Sequence, residues 1–335
     1  MTDISPFIEG MPKAELHVHL EGTLEPELKF TLAARNGVDL PYRSAAQMRD
    51  AYAFDDLTSF LVMYYEGMSV LRSEEDFYDR AMAYYRKAHS QHVVYAETFF
   101  DPQAHTSRGV PFGTVISGIH RAQQDAAAGL GLRTQLIMCF LRDMTQDSAM
   151  ETLAAARPYR DWIVGVGLDS DEKGNPPVKF KDVFDRARGE GYRLTMHADV
   201  DQDDSVAHIW QCLDEIGVQR VDHGVNCLED AALVERLRTA GVGLTTCPIS
   251  NSYVTDGLKA AEIKAMLDQS LLVTVNSDDP AYFPGYVGEN LAAVAGAANL
   301  AREELIQFQR NAFTIAWITA EERAAYLRDL DAYAG

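Results

Sequence analysis

The chain is poor in the features that would mark it for export, for a membrane or for nucleic acid. Its four cysteines, Cys139, Cys212, Cys227 and Cys247, are scattered without paired spacing. They read as reduced, buried thiols, which excludes a disulfide framework and a cysteine-based zinc site. No run approaches the roughly 18 apolar residues that a membrane helix needs. The opening Met1-Thr2-Asp3-Ile4-Ser5-Pro6 has neither the basic nor the apolar region of a secretory signal, so a cytoplasmic location is expected. Positive charge is scarce: 30 lysines and arginines face 50 aspartates and glutamates, a formal net charge of −20. That balance argues against nucleic-acid backbones and anionic membrane surfaces as partners, and serves solubility. There is no internal repeat, low-complexity tract or linker rich in Pro, Gly or Ser. Residues 1–335 are therefore expected to form one domain.

What is present is a large apolar fraction, 47%, distributed in a regular way. Eight short apolar or β-branched runs recur: Glu15–His19, Val93–Phe100, Thr134–Leu141, Trp162–Asp169, Arg193–Asp199, Arg220–Gly224, Val242–Cys247 and Leu271–Asp278. Helical patterns separate the later ones, over Asp204–Gly217, Glu229–Ala240 and Leu258–Gln269, with Gly217 and Gly241 as stop signals. Strands alternating with helices indicate a parallel sheet, and eight such units predict an α/β fold closed as a (β/α)8 TIM-type barrel. Segment 23–92 is too long for a simple connection. It reads as a helical insertion after the first strand (Pro26–Asn36, Asp56–Leu71, Glu74–His89) that would cover the barrel mouth. Residues 303–335 read as C-terminal helices, able to close the barrel or to form a contact in a homo-oligomer.

In a barrel of this kind the active site lies at the C-terminal ends of the strands. The chemistry-bearing residues collect there: His17 and His19 on the first strand, His197 on the fifth, His223 on the sixth, Asp278 and Asp279 on the eighth. His17 and His19, two apart on a strand, point the same way and can offer two nitrogens to one ion. Taken alone, that pair could equally be two solvated or core histidines. Taken together, three nitrogens and a carboxylate suit a borderline cation such as zinc, with one position left for water. A remaining histidine could orient that water, and a carboxylate beside the ligand could move its proton.

These residues sit in recognisable motifs. Met11-Pro12-Lys13-Ala14-Glu15-Leu16-His17-Val18-His19-Leu20-Glu21-Gly22-Thr23 resembles the opening motif of the adenosine and adenine deaminases of the amidohydrolase superfamily. Val221-Asp222-His223-Gly224, Cys247-Pro248-Ile249-Ser250-Asn251 and Val275-Asn276-Ser277-Asp278-Asp279-Pro280 resemble its later motifs, in the same order, over about the first 290 residues. The resemblance implies one Zn2+ per subunit held by His17, His19, His197 and Asp278. It also implies that His223 and Asp279 orient and deprotonate the attacking water, and that ammonia leaves an aminated heterocycle. The cytidine-type deaminases, with paired Pro-Cys-x-x-Cys ligands, are a different class. Cys247-Pro248 has no partner cysteine at that spacing.

The chain departs from the family where the fifth strand ends. The family runs His-x-Gly-Glu, the Glu protonating the ring; here the sequence is His197-Ala198-Asp199-Val200-Asp201-Gln202. Val200 cannot donate a proton, so Asp201 or Asp199 is expected to supply it, with a raised pKa. The loop Gly167–Gly174 resembles the one beneath the base, and Asp169, Ser170 and Asp171 join Asp199 as expected substrate contacts in an acidic pocket. Glu21 and the Phe99-Phe100-Asp101-Pro102 segment resemble the adenine-type branch, and Glu21 is expected to contact substrate. The reading is a deaminase of a 6-aminopurine, adenine favoured over adenosine. Two alternatives stand beside it: an aminohydrolase of another aminated heterocycle or of an N6-substituted adenine, and a purine- or metal-binding protein without catalysis.

Overall fold

The computed structural model describes residues 4–54, 56–198, 201–255 and 257–335. Helix α1 (Ser5–Gly10) leads into β1 (Lys13–Glu15), and α2 (Pro26–Asn36), α3 (Ala45–Asp50), α4 (Leu57–Gly67) and α5 (Glu74–Ser90) fill the long segment before β2 (Val93–Phe100). Then come α6 (Pro102–Thr106), α7 (Phe112–Leu130), β3 (Arg133–Leu141), α8 (Gln146–Ala156), β4 (Ile163–Asp169), α9 (Lys181–Gly189) and β5 (Arg193–Ala198). The second half runs α10 (Ser205–Trp210), β6 (Arg220–His223), α11 (Ala231–Ala240), β7 (Gly243–Thr246), α12 (Pro248–Val254), α13 (Ala260–Asp268) and β8 (Leu272–Val275). Helices α14 (Val287–Ala298), α15 (Arg302–Ile315) and α16 (Ala320–Ala334) complete the chain. No described helix is long and apolar enough to cross a membrane.

The eight strands lie in the order β1 to β8, each parallel to the next. Residues beyond β1 and β8 complete the ring through a parallel bridge between Val18 and Asp278. This is the predicted (β/α)8 barrel.

The expected strand Glu15–His19 ends early. The Leu16 N–H donates to the Asn276 side chain at 2.9 Å rather than to a strand carbonyl, which interrupts the ladder. His17 and His19 nonetheless remain beside their neighbours, His19 bridging to Phe99. Capping explains the inserted helices: Asp56 with Ser59 closes the start of α4, and Ser73 with Asp76 that of α5. Gly217 and Gly241 end their helical segments in the left-handed region, with φ of 73° and 65°. The expected helix over Asp204–Gly217 is α10 followed by a π-helical segment, Gln211–Ile216.

The C-terminal helical stretch breaks between α15 and α16, where Trp317 turns inward. It packs on an inner cluster of Phe99, Ile137 and Cys139. Beside it, buried Arg220 pairs with buried Glu97, and the Arg220 guanidinium lies 3.9 Å from the Trp317 ring centre. Glu97 also accepts from the Tyr95 hydroxyl at 2.7 Å and the Trp317 N–H at 2.5 Å. Removing the carboxylate would leave a buried guanidinium uncompensated. Glu97→Ala is therefore expected to lower the unfolding free energy by about 3–5 kcal/mol in a denaturant titration.

Candidate active site

Where the strands end, six side chains converge. His17 Nε2 lies 3.2 Å and His19 Nε2 3.4 Å from Asp278 Oδ1, while His223 Nε2 lies 3.8 Å from Asp278 Oδ2. His19 Nε2 and His197 Nε2 are 3.1 Å apart. Ligand atoms of His17, His197, His223 and Asp278 all fall within 4.8 Å of one another, and His19 forms an overlapping group with Asp278 and Asp279. The structure thus brings together every residue of the predicted metal-and-water set, and all six are buried.

The surrounding hydrogen bonds choose the tautomers. His17 Nδ1 meets the Thr245 carbonyl at 3.1 Å and its hydroxyl oxygen at 2.9 Å, and His197 Nδ1 meets the Leu168 carbonyl at 3.0 Å. A carbonyl can only accept, so each Nδ1 carries a hydrogen, and in the neutral ring Nε2 then turns its lone pair inward. His17 Nε2 is buried and has no hydrogen-bond donor. Burial, reinforced by neighbouring histidines, holds His197 well below its ordinary pKa, and burial brings His19 down to about 4, so both are neutral. Converging neutral imidazoles beside an ionised carboxylate are the donor set that a borderline cation takes.

Asp278 and Asp279 are driven apart. Burial raises Asp278, but His17, His223 and His19 outweigh it and hold the carboxyl well below its usual range. Asp279 is pushed well above that range, by burial first and then by the Asp278 charge. Asp222 fixes the set from behind: it accepts from the Thr195 hydroxyl at 2.6 Å and the Thr245 hydroxyl at 2.8 Å, joining β5, β6 and β7. Ser170, His223 and Asp278 all adopt left-handed backbone, with φ of 75°, 61° and 65°. Such strain in non-glycine residues gathers at functional sites.

A cavity opens above these groups, a concave site of the kind that binds small molecules. Its floor carries His19, His197, His223, Asp278 and Asp279 together with Asp101, Asp169 and Ser170. Helix α4 lines it with Leu57, Phe60, Leu61, Tyr64 and Tyr65, and Ser250, Val254 and Phe283 complete the wall. Asp101 lies well above its usual pKa and Asp169 is raised to about 7, each because of burial first; Asp169's charge raises Asp101 further.

Asp169 and Ser170 line the cavity as expected; Glu21 and Asp171 do not. Glu21 is fully buried, its Oε1 accepting from Arg80 at 2.6 Å and His105 at 2.8 Å, and these partners hold it away from the cavity. Asp171 folds back on its own loop, accepting from the Lys173 N–H at 3.1 Å. Asp201 is half-buried and tied to the Gln202 amide at 2.8 Å and to the Leu57 N–H; burial raises its carboxyl. It is not among the cavity-lining residues. Asp199 and Val200 fall outside the described residues. Sequence reasoning missed Asp101 as a site residue, although it closes an apolar run just as Asp278 does. It also missed Asp222 and the aromatic face of α4.

The sequence model of the adenosine deaminase family matches residues 12–333. The chain is 52% identical over 327 residues to an adenine deaminase of Streptomyces coelicolor, covering 96% of each. A solved adenine deaminase from Arthrobacter aurescens superposes with a TM-score of 0.94 at 41% identity, over 97% of this chain and 99% of that one. A solved amidohydrolase from Burkholderia ambifaria with bound Zn gives 0.90 at 25% identity, over 100% and 94%. The chain belongs to the adenosine deaminase family, and is a hydrolytic deaminase that cleaves a C–N bond.

Proposed function

We propose that this protein is a zinc-dependent deaminase of a 6-aminopurine base, with adenine preferred to adenosine, forming a 6-oxopurine and ammonia from base and water. The observation that carries the reading is the cradle of inward-turned imidazoles beside Asp278, on the floor of a cavity at the C-terminal ends of the strands. His17, His19, His197 and Asp278 would hold the ion. Zinc in such a setting lowers the pKa of a water toward neutrality.

The remaining steps belong to side chains of this chain. His223 orients the attacking water, and Asp279 takes its proton and passes it to the departing amine. The opposed shifts of Asp278 and Asp279 suit one carboxyl to staying ionised and the other to holding a proton in transit. The loop after β5 supplies the proposed donor to the ring nitrogen: Asp201, raised by burial, whose carboxyl would have to leave Gln202 and Leu57 and turn into the cavity, with Asp199 the alternative. Among the described lining residues there is no lysine or arginine to receive a phosphate, which supports a base over a nucleotide. Val200 in place of the family's Glu favours, as a second reading, an N6-substituted adenine or another aminated ring.

Gly22 lets the proton carrier sit where it does. A Cβ there would fall 2.6 Å from Asp279 Cγ and 2.7 Å from its Cα, closer than packing allows.

Zinc-replete protein incubated with adenine, adenosine and N6-substituted adenines, followed by ultraviolet absorbance and ammonia release, tests the reading. Expected are one zinc per chain, turnover of adenine above adenosine, loss of activity on chelation and its return with zinc. No turnover of any aminopurine by the loaded protein would remove it. Gly22→Ala is expected to lower kcat/KM for the preferred base by about 100-fold with the zinc still bound, because a small displacement of a reacting group is that costly.

A further inference from the structure

The floor of the cavity holds two acids that the reaction as described does not use. Asp101 follows β2 and Asp169 ends β4; both are buried and line the cavity. Their ligand atoms and one from His19 lie within 4.8 Å of one another. Asp101 Oδ2 accepts from the Tyr64 hydroxyl at 3.3 Å. Asp101 and Asp169 face each other, Asp169 also lying against the Cys139 thiol, and Asp169 Oδ2 stands 3.5 Å from His19 Nδ1; among the described residues neither carboxyl is met by an arginine, a lysine or a backbone N–H donor.

A carboxylate oxygen left unmatched in the interior is costly, and two facing acids compound the cost. The acceptors therefore address what fills the cavity. We propose that Asp101 and Asp169 receive an N–H of the substrate's five-membered ring, and that this contact selects a free base over its N-glycosylated or N-alkylated form. The inference rests on the deaminase reading of the same cavity and names what that reading leaves open.

The placement suits a fused bicycle. The His19 ring separates the two regions, its Nε2 toward Asp278 and its Nδ1 toward Asp169. One end of a purine would then meet the attacking water while the other presents its ring N–H to the acids. In a nucleoside that nitrogen bears the sugar and has no hydrogen to give. Sites built to hydrogen-bond a substrate N–H reject analogues lacking it by about 10⁴-fold or more, because their buried acceptors stay unpaired.

The test compares adenine with 9-methyladenine, which removes the N–H at the smallest steric change, in wild type, Asp101→Asn and Asp169→Asn, with metal content measured for each. Wild type is expected to favour adenine in kcat/KM by about 10³-fold or more. Each variant is expected to keep one zinc, to lose most of its efficiency with adenine through KM, and to narrow the preference at least tenfold. An unchanged preference in folded, zinc-loaded variants overturns the proposal. So does a second metal ion per chain, since it would occupy the same oxygens. If either variant fails to fold, the other and the wild-type comparison still decide, and wild type turning over both bases equally is fatal. Should wild type deaminate neither base, the functional reading fails separately. Equilibrium binding of the two bases then settles the contact: tighter adenine binding that depends on Asp101 retains it, and equal or absent binding overturns it.

Discussion

The barrel closes between the segments that follow β1 and β8, and the hydrogen bonds that close it belong to the cation cradle. The His19 N–H donates to the Asp278 carbonyl at 3.0 Å and the Asp278 N–H to the His17 carbonyl at 3.1 Å. Backbone ring closure and side-chain convergence are therefore one event. Glu15 supports the seam from inside: it accepts from the Ser277 N–H at 3.0 Å, from the Ser277 hydroxyl and from Tyr84 at 2.7 Å. That anchorage holds Asp278 in left-handed backbone, a conformation that costs about 1–2 kcal/mol outside glycine.

Charge is sorted around this seam. Glu21 is matched by Arg80, Glu172 by Arg142 and Glu97 by Arg220, all fully buried. These acids are structural members, fixed by cations that the fold supplies. Arg142 also donates to the carbonyl of His197 at 2.9 Å, so one of these pairs steadies a candidate ligand directly. The acids facing the cavity, Asp101, Asp169, Asp278 and Asp279, have no arginine or lysine ion pair among the described residues. Their unmet demand is what the site offers to a cation and a substrate.

Much of this could be read from the chain, because apolar runs bounded by turn residues record strands locally. The polar residues closing those runs record which ends face the mouth. His17, His197, His223 and Asp278 were visible in this way, and Asp101 carried the same signal at the end of β2. What stayed hidden depends on partners far along the chain. The sequence around Glu21 cannot announce Arg80 and His105, and so it suggested a substrate contact where there is a buried ion pair. The early end of β1 has the same origin, since it rests on an Asn276 side chain from the opposite edge of the sheet. Asp171 misled for a local reason: an acid in a short loop readily bonds its own backbone.

Trp317, stacked on Arg220 and bonded to Glu97, stoppers the end of the barrel away from α4. On the α4 side, where the cavity lies, Tyr65 latches onto Ser170 at 2.7 Å. Traffic through that latch, and not only bond breaking, is built into each catalytic cycle.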